Sequence, residues 1–107
     1  MAIDRLLSPL TIGDLSLKNR VVMAPMTRSR ASQDDDCVSD LHETYYGQRA
    51  NAGLIITEGV HPTFDGKGYN RTPGSCNDGH VGAWSRVRQA VHERGGLVAC
   101  QRVHWGR

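Results

Sequence analysis

Gly53-Leu54-Ile55-Ile56-Thr57-Glu58-Gly59 is a run of apolar, mostly β-branched residues bounded by glycines and ending in a hydroxyl and a carboxyl group. Such a run reads as a strand buried in a parallel sheet, where neither face alternates with polar residues. Upstream, Asp40-Leu41-His42-Glu43 has the form of a capping box, and Leu41, Tyr45 and Gln48-Arg49 carry a helical pattern that Asn51 and Gly53 end. A helix from about Asp40 to Ala50 is expected to lead into the strand. Further upstream, Arg20-Val21-Val22-Met23-Ala24 is a second apolar run, stopped by Pro25, and is expected to be buried on both faces. Leu10–Ile12 and Leu15–Leu17 flank Gly13-Asp14, a pair suited to the turn of a small hairpin.

Downstream the same alternation continues. Asn77 or Asp78 can cap a helix whose Val81, Trp84, Val87 and Val91 share one face, with Gly95-Gly96 closing it. Leu97-Val98-Ala99-Cys100-Gln101 supplies a third strand. Strand, helix, strand, helix, strand is the βαβ pattern of an α/β fold, and it opens both doubly wound sheets and (β/α)8 barrels.

Composition narrows the function classes without naming one. The chain has 38% hydrophobic and 22% charged residues, a globular balance, and its net charge of +2 asks for neither nucleic acid nor a membrane. Cys37, Cys76 and Cys100 are widely spaced, with no CxxC pair, so a metal site and a disulfide framework are both unexpected and a cytoplasmic setting fits. Charges at Asp4, Arg5, Asp14 and Lys18 interrupt any early apolar span. Asp34-Asp35-Asp36 reads as a solvated loop ahead of a helix.

In a parallel sheet, ligands bind beyond the carboxyl ends of the strands. Those ends run into Ala24-Pro25-Met26-Thr27-Arg28-Ser29-Arg30, Thr57-Glu58-Gly59 and Gln101-Arg102-Val103-His104-Trp105-Gly106-Arg107. Phosphate loops fail here. Gly66-Lys67-Gly68 would need glycine where Arg71 stands to complete GxGxxG, and neither the spacing from Gly59 nor the residue after Lys67 fits GxxxxGK[ST].

Five segments together are specific: SPLTIGDLSLKNRVVMAPMTRSRA (residues 8–31), YYGQRANAGLIITEG (45–59), GKGY (66–69), TPG (72–74) and the terminal QxxHxGR (101–107). In order and spacing they resemble the old yellow enzyme family of FMN-dependent ene-reductases. The resemblance implies a (β/α)8 TIM barrel with FMN at the strand carboxyl ends. In a complete enzyme, NADPH or NADH reduces the flavin, which passes hydride to an activated alkene such as an enone. Pro25 and Met26 would pack against the flavin, and Thr27, the catalytic candidate, would hydrogen-bond near its O4. Gly59 would admit close backbone approach, Gln101 would pair with the pyrimidine edge, and Tyr69 would line the substrate pocket. The long loop from Val60 to Asn77 would form part of that pocket's rim.

His104 has no carboxylate at a recognisable spacing and reads as structural. Arg28 and Arg30, without interleaved aromatics, read as a solvated face. Family members commonly follow the glutamine with an apolar residue and a tryptophan. Here Arg102 and Val103 stand there, and the tryptophan comes later as Trp105.

A barrel of this kind needs roughly 250 residues. Residues 1–107 are therefore expected to form an incomplete N-terminal part: a hairpin, about three parallel strands and two helices. The family's substrate-binding His/Asn or His/His pair, its proton-donating tyrosine and its phosphate-binding arginine and glycines have no counterpart here. The alternative is a non-catalytic fragment that binds flavin weakly, self-associates or pairs with a complementary chain through its open strand edges.

Overall fold

A computed structural model describes residues 2–106. A short helix α1 (Ala2–Leu6) leads into strands β1 (Leu10–Ile12) and β2 (Leu15–Leu17), then β3 (Val22–Met23), helix α2 (Asp40–Gly47), strand β4 (Leu54–Ile56), a single 3₁₀ turn (Phe64–Gly66), helix α3 (Asp78–His92) and strand β5 (Val98–Ala99). Sequence reasoning did not anticipate α1, which buries none of its residues.

The hairpin forms as expected. β1 and β2 pair antiparallel with Ile12 opposite Leu15, and Gly13 turns the corner at φ +57°, a left-handed conformation that favours glycine. β3, β4 and β5 form a separate parallel sheet in that order, with Met23 beside Ile55 and Ile55 beside Val98. The expected α/β pattern is therefore present, and among the described residues the sheet does not close into a barrel.

The starts of α2 and α3 are both capped by side chains. Asn77 caps α3 by accepting the His80 N–H at 2.9 Å. α2 carries a true capping box, one residue earlier than expected: Ser39 is the cap, and the Ser39 N–H donates to His42 Nδ1 at 3.0 Å, so a histidine does the work of the usual glutamate. α2 also ends at Gly47, three residues short of the expected Ala50, where tighter turns take over.

One face of the sheet makes the core. Ile55 is fully buried together with Tyr46 and Ala50 near α2 and Ala83, Val87 and Val91 of α3. Tyr46 and Trp84 approach with ring centroids 6.1 Å apart, joining the two helices. Val81 does not join this face as its spacing suggested; it is 56% exposed and borders a hollow of about 220 Å³ with Trp84, Val98 and Cys100. The expectation that the first parallel strand is buried on both faces also fails. Val22 is 45% exposed, because nothing in the described residues packs on the side of the sheet away from the helices at that strand.

Candidate functional site

Parallel pairing brings the three strand ends to one rim. From the paired row Met23, Ile55 and Val98, Thr27 and Gly59 lie four residues on and Gln101 three. Thr27, Gly59 and Gln101, three of the five residues expected to contact flavin, thus follow adjacent strand ends by a few residues each, although they come from segments far apart in sequence.

The β4 end is densely tied down. Thr57, Glu58, Gly59, Val60 and His61 are all buried. The Tyr46 hydroxyl donates to Glu58 Oε2 at 2.6 Å and accepts the Glu58 N–H at 3.1 Å, so one phenol grips both the side chain and the backbone of residue 58. Glu58 Oε1 has no partner among the described residues. Burial pushes the Glu58 carboxyl above its ordinary value, against the smaller opposing influence of the Tyr46 hydrogen bond and of the amide and guanidinium of Arg28. The same burial, with Glu58 beside it, pushes the Tyr46 phenol up.

Gln101 is half-buried, and its backbone is held on both sides: its N–H donates to the Thr57 hydroxyl at 3.1 Å and its carbonyl accepts from the Val60 N–H at 2.8 Å. Its carboxamide makes no hydrogen bond among the described residues. Beyond it, Trp105 lies between two glycines. A Cβ on Gly59 would stand 2.7 Å from the indole, and one on Gly68 2.5 Å from it, so neither position has room for a side chain. Tyr69 meets the same indole edge-on, with centroids 5.5 Å apart. The displaced tryptophan therefore packs the loop from Val60 to Asn77 onto the strand ends. Tyr69 remains 57% exposed, in an open depression with Phe64, Lys67 and Asn70.

Arg102 is exposed and reaches Ser75 Oγ at 3.2 Å, which spares its charge from burial. His104 has a carboxylate neighbour that spacing could not reveal: Asp65 lies 3.6 Å from its Nε2. The ring covers Gly66, and its Nδ1 accepts the Gly106 N–H at 3.0 Å, consistent with the structural role expected of it.

The β3 end is the opposite case. Pro25 is half-buried, Met26 is 44% exposed and Thr27 is exposed, its hydroxyl without a hydrogen bond among the described residues. Arg28 and Arg30 are exposed and form no ion pair among the described residues; Arg28 lies over the Tyr45 ring at 5.4 Å, and Arg30 donates back to the Arg28 and Ser29 carbonyls.

A polar cluster that sequence reasoning missed joins the two long loops on this rim. Asp36, read as part of a solvated run, is buried; it accepts from Lys67 Nζ at 2.7 Å, and its Oδ2 stands 3.2 Å from His61 Nε2, close but out of line for a hydrogen bond. His80 Nδ1 accepts the Cys76 N–H at 2.9 Å, which assigns the proton to Nε2 for donation to the Asp35 carbonyl at 2.6 Å. Gly74 fits between the two imidazoles with no space for a side chain. Burial holds His61 below its ordinary value despite Asp36. Among the described residues no His, Cys, Asp or Glu cluster could hold a metal ion, and no helix is long and apolar enough to cross a membrane.

The profile of the NADH:flavin oxidoreductase / NADH oxidase family matches residues 5–107. A flavin oxidoreductase of Emericella nidulans is 39% identical over 98% of the chain, and a probable flavin mononucleotide-dependent alkene reductase of Leishmania infantum is 40% identical over 99%. Among solved structures, morphinone reductase superposes with a TM-score of 0.91 at 48% identity over 95% of the chain, and the old yellow enzyme from Trypanosoma cruzi with 0.94 at 37% over 100%. The chain spans 28% and 29% of those two relatives and 27% and 29% of those two structures.

Proposed function

The chain belongs to the NADH:flavin oxidoreductase / NADH oxidase family, of old yellow enzyme type, and from that premise we propose that its β3, β4 and β5 ends form one wall of an FMN site. The observation that supports this reading is the convergence of the three parallel strand ends that Thr27, Gly59 and Gln101 follow, with the Thr27 hydroxyl and the Gln101 carboxamide left without a hydrogen bond among the described residues. A planar ligand with a hydrogen-bonding edge fits such a rim. The Gln101 carboxamide offers a donor and an acceptor side by side, as a ring edge with adjacent carbonyl and N–H groups requires. Thr27 is the catalytic residue in this reading: its hydroxyl donates toward charge that builds on the reduced ring. Pro25 and Met26 present main chain and an exposed apolar side chain to the ring, and Tyr69 with its loop borders the substrate. When bound, FMN supplies hydride, drawn from NADPH or NADH, for an activated alkene such as an enone.

A second reading is favoured by the bare β3 face and the hollow bordered by Val81, Trp84, Val98 and Cys100. In it, residues 1–107 act as an incomplete N-terminal domain that binds flavin without turnover, self-associates or pairs with complementary βα units. A soluble, cytoplasmic setting belongs to the same proposal.

Titrating FMN with the purified chain, then adding NADPH and an enone without oxygen, tests both. Quenching of flavin fluorescence that falls about tenfold in affinity in Gln101→Ala supports the site. Turnover by the chain alone removes the second reading, and no quenching at any concentration removes the first.

A further inference from the structure

The β4–β5 ladder loses its regular step just where the proposed flavin wall begins. Thr57 N–H donates to the Ala99 carbonyl at 2.9 Å, and Val60 N–H donates to the Gln101 carbonyl at 2.8 Å. Two steps along β5 are thus matched by three along β4. An extra residue of this kind is a bulge, which bends its strand and re-aims the side chains around it. Its effect is visible: Glu58 turns to Tyr46 of α2, and Gly59 comes to lie under Trp105.

Inside the bulge the Gln101 N–H is accepted by a side chain, the Thr57 hydroxyl, at 3.1 Å. That hydroxyl donates in turn to the Glu58 carbonyl at 2.9 Å. Thr57 is 1% exposed, so water does not compete for either bond. A hydroxyl can accept and donate at once, and here it does both within the bulge. A buried N–H or carbonyl without a partner is costly, so the hydroxyl is the group that allows the bulge to exist beside Gln101.

We propose that Thr57 is the positioning residue for Gln101: its hydroxyl fixes the backbone from which the carboxamide projects, and so sets the angle at which that amide meets the flavin edge. This rests on the flavin reading above. Thr57 touches no ligand itself and acts only through residue 101.

The test uses the 107-residue chain with FMN as the probe. Thr57→Val keeps the shape and removes both hydrogen bonds, whereas Thr57→Ser keeps the hydroxyl. T57V is expected to bind FMN about tenfold more weakly, with the visible absorption bands of the bound flavin displaced toward those of free FMN, and T57S is expected to restore affinity to within about twofold and the spectrum with it. In a Gln101→Ala background, T57V should weaken binding no further, because a positioning residue has nothing left to position. Affinity and spectrum unchanged in T57V, or a full additional loss in the double variant, overturns the proposal while leaving the flavin reading intact. No quenching by the unaltered chain overturns the flavin reading and the role of Thr57 with it. Should T57V lose its cooperative urea transition, amide exchange in the unaltered chain decides. Protection of the Gln101 N–H by tenfold or more over an unstructured peptide supports the bond to Thr57, and its absence overturns it.

Discussion

The ends of β3 and β4 lie side by side in one parallel sheet, and they are built in opposite ways. From Thr57 to His61 every residue is buried, and the segment is gripped by Tyr46, by Gln101 and by the indole of Trp105. From Met26 to Arg28 every residue is exposed. The difference follows from position. β4 has a strand on each side and a long loop folded over its end, whereas β3 has only β4 beside it in this sheet and helices on one face alone. A proline just beyond β3 removes a donor, as suits an edge. The β4 and β5 side of the proposed wall is therefore tied down within these residues, whereas Thr27 stands exposed beside it.

Deleting methyl groups from the two strands should break the symmetry most visibly. Ile55→Ala opens a cavity against both helices and is expected to lower the unfolding free energy by about 2–5 kcal/mol. Val22→Ala, on the exposed face of β3, should cost less than about 0.5 kcal/mol. Urea unfolding followed by circular dichroism measures both. Equal losses at the two sites would mean that the β3 face is covered in solution, as the self-association reading requires.

A smaller effect is expected from Gly59→Ala. Its Cβ would collide with the Trp105 ring, so the indole must move, at about 1–3 kcal/mol. Trp105 fluorescence should shift to longer wavelength as the ring leaves its place between Gly59 and Gly68. An unshifted spectrum would show that the loop does not close on the β4 end as described.

Legibility in the sequence divides along the same line. The hairpin, the three strands and the α3 cap were readable because each is governed by neighbours in the chain: Gly13 at its turn, Asn77 three residues before the N–H it accepts, β-branched runs between glycines. The α2 cap was misplaced by one residue because His42 substitutes for the acidic partner that the pattern seeks. α1 left no signal, as it buries nothing. Thr27, Gly59 and Gln101 were singled out through whole motifs, because spacing alone carries no register: parallel pairing is what brings their strand ends to one rim. The cluster of Asp36, His61, Lys67 and His80 was invisible because its contacts join Asp36 to His61 and Lys67, and Asp35 to His80, across long stretches that only the folded loops bring together. The bulge at Thr57 was equally hidden, since threonine is as common in a plain strand as in one whose hydroxyl closes a gap.

The smallest effect is expected from a titration, and it separates two buried groups of the β4 end, Glu58 and His61, by the sign of a slope. Glu58 has its folded value raised above 4.5 chiefly by burial, so the folded chain holds this proton more tightly than the unfolded one. Stability from this group is then complete below about pH 4.5 and declines as pH rises through the folded value. His61 behaves inversely: its folded value lies below 6.5, so the unfolded chain takes up its proton first and stability declines as pH falls through and below about 6.5. Glu58→Gln keeps an uncharged acceptor for the Tyr46 hydroxyl and removes only the titration. Its stability curve should coincide with that of the unaltered chain at pH 4 and lie above it increasingly as the pH rises, with a difference in slope of at most about 1.4 kcal/mol per pH unit. The acid-side decline from His61 should persist in the variant. Parallel curves would mean that folding leaves the hold of Glu58 on its proton unchanged, and an unaltered chain that gains on the variant as the pH rises would mean that Glu58 is charged in the folded chain and stabilised there, with the Arg28 amide and guanidinium outweighing burial.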